Sequence, residues 1–127
     1  MEDLSDYFES TEGTGVLATA DEDGRVDSAI YGRPHVTGDN EVAFIMADRL
    51  SHRNINQNPH ACYLFMEEGR GYRGKRLYLT KLREETHAGK IEEMRRRERE
   101  TESDEQRFLV YFSVDSMRPL VGDTASD

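Results

Sequence analysis

Six short segments with strand patterning, each bounded by turn residues, constrain the fold of this chain most. Residues 16–20 are mostly apolar, residues 25–31 alternate apolar and polar side chains, and the intervening Asp-Glu-Asp-Gly sequence is typical of a hairpin turn. The other four candidate strands are residues 41–47, 60–67, 72–85 and 108–114. Successive hairpins produce antiparallel neighbours, so the sequence predicts a small, closed antiparallel barrel of six strands.

Short helices are predicted at three places between or before these strands, which makes the class mainly β with some α (α+β). One lies within the first dozen residues. A second spans about residues 52–58, with Ser51 as its N-cap, Ile55 as its main core contact and Pro59 directly after it. A third is indicated over residues 88–100, which are rich in good helix formers and carry Glu–Arg pairs at i,i+4 spacing.

The length of 127 residues suits a single domain, which we place at residues 1–127 with residues 119–127 as a frayed polar tail. Hydrophobic residues make up 35% of the chain and charged residues 34%, so the predicted core is lean. A homodimer would add buried apolar area, and we therefore expect self-association.

The charge balance excludes two classes of partner. The chain has 26 acidic and 17 basic side chains, giving a formal net charge of −9. Nucleic acids and anionic membrane surfaces are both bound through basic patches, so we expect neither as a partner. The sequence contains no apolar run of membrane-spanning length and only one cysteine, Cys62, a pattern typical of a cytoplasmic protein.

The sequence contains no convincing set of residues for a metal site or for nucleophilic catalysis. His60 and Cys62 lie two apart on a predicted strand, but zinc needs three or four ligands and no further histidine or cysteine stands at ligand spacing. A thiol inside an apolar strand is usually inert packing. The sequence also has no nucleophile-elbow, Walker or G-x-G-x-x-G motif, so we predict no metal and assign no catalytic residue.

The segment after the strand 41–47 combines the features of an anion site. Arg49, Ser51, His52 and Arg53 surround the start of the predicted second helix. Cationic side chains, a hydroxyl and the unpaired amides of a helix N-terminus together suit a phosphate dianion. The same pattern is also compatible with an ordinary capped surface helix.

Residues 42–66 and 15–32 carry a resemblance to a known family. The sequence VAFIMADRLSHRNINQNPHACYLFM resembles the FMN-binding strand–helix–strand of the pyridoxamine 5′-phosphate oxidase-like family, including its N-(I/L)-x-x-N-P element. The hairpin GVLATADEDGRVDSAIYG is similar to that family's opening strands. The resemblance spans about residues 13–85 and implies a split β-barrel of the FMN-binding type, a homodimer, and FMN bound at the subunit interface.

The resemblance also implies a set of cofactor-binding residues. Carried over by position, they are Ser28, Ala29, Ile30, Tyr31, Arg33, Met46, Ala47, Asp48, Arg49, Ser51, His52 and Arg53. Residues 28–31 would flank the ribityl chain and the ring, residues 46–48 would present backbone groups to the flavin edge, and Arg33 would stabilise reduced flavin from its N1/O2 side. Arg49, Ser51, His52 and Arg53 would hold the phosphate, although the family often has a cation where this chain has Ser51.

Three functions remain open from the sequence. The first is an FMN-dependent oxidoreductase or electron carrier acting with a small-molecule redox partner. Since the chain ends without the longer segment with which the true oxidases contact their product, we do not expect it to oxidise pyridoxamine phosphate. The second is a split-barrel protein that binds haem or a deazaflavin, and the third is a cofactor-free dimeric interaction module.

Overall fold

The computed structural model describes residues 3–86 and 106–122, which form two helices and seven strands. The helices are α1 (Leu4–Ser10) and α2 (Leu50–Gln57). The strands are β1 (Gly13–Ala20), β2 (Val26–Ile30), β3 (His35–Gly38), β4 (Glu41–Ala47), β5 (His60–Glu67), β6 (Gly74–Glu85) and β7 (Arg107–Pro119). The predicted helix over 88–100 and the last five residues of the predicted tail lie outside the described residues.

The strands form one antiparallel sheet in the order β2-β1-β5-β6-β7-β4-β3. This confirms the predicted class and pairing, but the structure describes seven strands rather than six. The additional strand is β3, which pairs with β4 and contains an irregularity between Val36 and Gly38. With four residues and a single large apolar side chain, β3 has too short a pattern to be recognised as a strand in the sequence.

The main core lies on one face of the curled sheet and packs against α1, and a smaller buried cluster lies on the opposite face of β4 and β7. Leu4 and Phe8 of α1 are buried against the main core, as the spacing of apolar residues in this segment predicts. Ring contacts link Phe8 to Phe65 and Tyr63, with centroid separations of 5.3 and 6.3 Å. The core therefore depends on aromatic packing from few residues, consistent with the modest hydrophobic content.

Polar side chains fix α2 to the sheet. The amide of Asn54, which is 4% exposed, donates from Nδ2 to Thr19 Oγ1 of β1 over 3.1 Å. Asn58 Oδ1 accepts from the backbone amide of His60 and so shapes the turn into β5. Ile55 is buried beneath the helix, as predicted. The two outer asparagines of the N-(I/L)-x-x-N-P element thus determine where α2 lies.

The Tyr63 side chain of β5 packs closely against β1, and its hydroxyl holds the end of β2 through hydrogen bonds. The buried Tyr63 hydroxyl donates to the carbonyl oxygens of Tyr31 and Gly32, at 3.2 and 2.9 Å. A side chain at Gly15 would overlap that hydroxyl, so the contact requires glycine there. Burial also raises the pKa of the Tyr63 phenol well above its usual value, and it therefore remains a donor.

Candidate functional site

A groove opens where the two ends of the sheet approach each other without pairing. It has a volume of about 470 Å³ and lies between β2, the end of β4 and the start of α2. Its lining residues are Asp27, Ala29, Ile30, Tyr31, Gly32, Arg33, His35, Phe44, Ile45, Ala47, Arg49, Leu50, Ser51 and Arg107. The size is within the range of small-molecule sites.

The groove brings together seven of the twelve predicted cofactor-binding residues. They are Ala29, Ile30, Tyr31, Arg33, Ala47, Arg49 and Ser51. Their convergence follows from the topology, since β2 and β4 border the groove from opposite sides and α2 begins three residues after β4 ends. The two sequence segments that carry the family resemblance therefore meet at this groove.

The other five predicted residues do not line the groove. Ser28 lies on the same face of β2 as Val26 and Ile30, opposite Ala29, but it is not among the residues that line the groove. Met46 is fully buried in the core, whereas Asp48 and Arg53 are exposed to solvent. His52 is 5% exposed and faces β6 and β7 rather than the groove.

Three arginines give the groove a cationic lining in an otherwise acidic protein. Arg33, Arg49 and Arg107 all border it, and Asp27 is the only carboxylate among its lining residues. Arg107 was not predicted, because it precedes the apolar pattern of residues 108–114. The signal that identifies it is cross-strand register, since Arg107 lies opposite Ala47 in the β4–β7 pair.

Arg33 links the groove to α1. Its Nη1 atom donates to the carbonyl oxygens of Phe8 and Thr11, at 2.8 and 2.9 Å. These contacts satisfy carbonyls at the end of α1 and hold the guanidinium at the groove's edge. A neighbouring cleft of about 760 Å³ shares Arg33, but three glutamates at residues 12, 67 and 68 also line it, a charge pattern less suited to an anion.

The start of α2 differs from its prediction in a way that affects the groove. The N-cap residue is Arg49 rather than Ser51, and within the described part of the chain the Arg49 side chain makes no capping hydrogen bond. The first helical bond runs from the Arg53 amide to the Arg49 carbonyl, over 3.0 Å. The amides of residues 50–52 therefore have no partner within the helix and are suited to bind an anion at its N-terminus.

The opposite end of the groove is aromatic and apolar. The rings of Tyr31 and Phe44 meet edge to face, with centroids 5.8 Å apart. Ala29 and Ile30 continue this lining along β2. The groove thus has one end suited to a planar apolar group and another suited to a negative charge.

Other chemistry-bearing residues do not assemble into a second site. Within residues 3–86 and 106–122, no group of three or more histidine, cysteine or acidic side chains is arranged to hold a metal ion. His60 instead contacts Thr80, and burial raises the pKa of the Cys62 thiol, which disfavours the reactive thiolate. In the same described ranges, no helix is long and apolar enough to cross a membrane.

No family model and no curated protein matches the chain, but solved structures match it along nearly its whole length. HupZ from Group A Streptococcus superposes with a TM-score of 0.75 at 15% identity, covering 100% of both chains. An FMN-binding protein from Syntrophomonas wolfei subsp. wolfei has a TM-score of 0.75 at 13% identity, covering 95% of this chain and 86% of that chain. A candidate pyridoxamine 5′-phosphate oxidase from Lactobacillus delbrueckii has a TM-score of 0.67 at 15% identity, covering 93% and 92%.

A structure described as an F420 reductase also matches, with a TM-score of 0.68 at 12% identity, covering 93% of this chain and 98% of that chain. The FMN-binding protein, the candidate oxidase and the F420 reductase are split barrels, and the predicted fold is thereby confirmed. At such identities the likeness concerns the fold, whereas function depends on the site that the fold carries.

Proposed function

We propose that this chain is an FMN-binding protein of the pyridoxamine 5′-phosphate oxidase-like family, and that FMN occupies the groove between β2, β4 and α2. The observation that carries this proposal is the meeting of an arginine-lined end and an aromatic end in one groove. FMN has the matching polarity, with a dianionic phosphate at one end and a planar ring system at the other.

The donors at the α2 end fit a phosphate. Arg49 and Arg107 would supply charge-assisted hydrogen bonds, Ser51 a hydroxyl, and residues 50–52 backbone amides. Arg53 is exposed outside the groove, so of the two arginines considered for the phosphate, Arg49 is the better placed.

Tyr31 and Phe44 would contact the flavin ring, and Arg33 would lie at the edge between ring and solvent. A bound flavin supplies one- or two-electron transfer, while this chain's residues fix its position and tune its potential. We therefore assign the protein as an oxidoreductase or electron carrier with a small-molecule redox partner. Pyridoxamine phosphate is not the substrate that we propose.

A second copy of the chain would complete the site. The outer apolar face, defined as Val16, Val26, Ile30, Leu64 and Met66, lies on the side of β2, β1 and β5 opposite the core. Val26 is 82% exposed and Ile30 is 73% exposed. Ile30 also lines the groove, so a partner that covers this face would shield one wall of the groove from water.

Titration of the purified protein with FMN and with riboflavin tests this proposal. Riboflavin has the same ring but no phosphate, so we expect FMN to bind at least about tenfold more tightly, as the loss of charge-assisted hydrogen bonds requires. Equal affinities for FMN and riboflavin would mean that the phosphate does not contact the arginine-lined end of the groove. No binding of either compound would contradict the flavin assignment.

The second candidate ligand is a deazaflavin cofactor, which the F420 reductase match favours. Such a cofactor also combines a planar ring system with an anionic tail, so the same groove would accept it. Competition decides between the two: a deazaflavin that displaces FMN and binds more tightly would replace FMN in this assignment. A haem absorption band on addition of haemin, with no flavin binding, would support the haem alternative instead.

A further inference from the structure

We propose that His52 and Glu84 are positioning residues, which fix the first turn of α2 against β6 and so hold Arg49 and Ser51 at the phosphate end of the groove. This inference rests on the proposed function, since it assigns these two residues a part in binding the anionic end of the ligand. Neither side chain lines the groove.

The contacts around His52 come from two strands and from the loop that precedes α2. Its Nε2 lies 3.0 Å from Glu84 Oε1 of β6, and its ring stacks on Phe108 of β7 with centroids 3.9 Å apart and an interplanar angle of 9°. Its Nδ1 lies 3.9 Å from Asp48 Oδ1, just before α2. The imidazole is therefore held between the sheet and the helix from several directions.

Lys81 extends the contact into a small network. Its Nζ atom donates to Glu84 Oε1 over 2.7 Å and to Asn56 Oδ1 of α2 over 2.6 Å. One carboxylate of β6 thus connects to α2 both directly, through His52, and through the Lys81–Asn56 contact. The network therefore contacts α2 at His52 and at Asn56, which lie about one helical turn apart.

The contact between Glu84 and His52 involves an ionisable carboxylate. Partial burial would raise the pKa of Glu84, but hydrogen bonds from Lys81 and His52 outweigh that effect and lower it. An ionised Glu84 can only accept, so a hydrogen bond between the two side chains places a proton on His52 Nε2, which also lies 3.4 Å from Asn56 Nδ2 of α2. Because His52 lies in the first turn of α2, next to Ser51, the contact fixes that turn against β6.

The chain offers a matched pair of substitutions. Glu84→Gln removes the charge that orients His52. Glu41→Gln makes the same chemical change in a second ion pair with β6, since Glu41 of β4 contacts Arg83 at 3.2 Å and also accepts from Thr37 of β3. Both variants keep the side-chain volume, so folding of each is checked by circular dichroism.

Hydrogen exchange of the ligand-free protein tests the positioning directly. We expect Glu84→Gln to speed exchange of the Arg53 and Asn58 amides, which bond within α2, and Glu41→Gln to leave them unchanged. Nitrogen NMR shifts of His52 should report the Nε2–H form in the wild type and a changed tautomer balance in Glu84→Gln. Unchanged exchange and shifts in Glu84→Gln would overturn the proposal.

Ligand titration tests the consequence for the groove. Glu84→Gln is expected to weaken FMN about five- to tenfold while riboflavin affinity stays within about twofold, because only the phosphate end depends on α2. Equal losses for both compounds, or the same loss in Glu41→Gln, would overturn the positioning role. If wild-type protein binds no FMN, the proposed function fails, whereas the exchange result still reports whether Glu84 holds α2.

Discussion

Among single residues, the three arginines that line the groove matter most for the proposed function. Arg107 is the proposed site residue that the sequence could not supply, because its place depends on the pairing of Ala47 with Arg107, two residues 60 positions apart in the chain. Arg49 and Ser51 could be predicted from the sequence because they adjoin a strand end and a helix start. Local patterns therefore predicted one side of the proposed phosphate end, and the register of β4 and β7 adds the other.

Replacement of Arg107 by alanine is expected to weaken FMN binding about tenfold or more, since a charge-assisted hydrogen bond to the phosphate is lost. Flavin fluorescence quenching measures the affinity. Arg83→Ala is the control, because it removes the same charge from an exposed site outside the groove. An FMN affinity equal to that of wild type in Arg107→Ala would remove this residue from the site.

Glu84 is expected to make the free energy of unfolding depend on pH. Its pKa in the folded protein lies below the ordinary value of 4.5, so its contribution to stability is present above that value and is lost as pH falls through the folded pKa. Glu84→Gln should therefore lower the free energy of unfolding at pH 7 and lose less stability than wild type between about pH 5 and pH 3. Urea unfolding at several pH values measures this, and parallel curves for the two proteins would contradict it.

At the scale of elements, the strand and helix patterns were predictable where they were long or strongly periodic. The segments of β1, β2, β4, β5, β6 and β7 could be located from alternation and turn residues. The short strand β3 could not, since its four residues carry almost no periodic signal. The start of α2 was misplaced because Ser51 is a favoured capping residue, yet the chain turns into the helix at Arg49.

The approach of Tyr63 to β1 yields a test of how the end of β2 is held. Gly15→Ala places a methyl group against the Tyr63 hydroxyl, so it should lower the free energy of unfolding by about 1–3 kcal/mol. Gly32→Ala is the control, since a Cβ at Gly32 meets no atom within 4 Å. Thermal or urea unfolding compares the two, and equal stability of both variants would show that this close approach does not constrain β1.

At the scale of the whole molecule, composition predicted a lean core and self-association, and the structure adds a face on which a second copy can pack. The outer apolar face is formed by three adjacent strands and reaches the groove through Ile30. Sequence alternation places Val26 and Ile30 on one side of β2. Which of the two faces of β2 points toward the core depends on the order of the strands in the sheet, and the sequence does not specify that order.

Substitution on the outer apolar face is expected to disrupt the proposed dimer. Ile30→Lys introduces a charge into the proposed contact, so light scattering should show a shift from the mass of two chains toward that of one. Leu82→Lys is the matched control, since Leu82 is also exposed but lies on the part of β6 that extends beyond β5. A wild-type protein that is already monomeric, or a dimer unaffected by Ile30→Lys, would contradict the proposed interface.

The central claim is that the groove between β2, β4 and α2 holds FMN. The most direct measurement is the visible absorbance of protein purified without added cofactor, followed by mass determination of any ligand released on denaturation. We expect the two absorption bands of a flavin and release of FMN in about one copy per chain. A colourless protein that also fails to take up added FMN would show that the groove does not hold this cofactor.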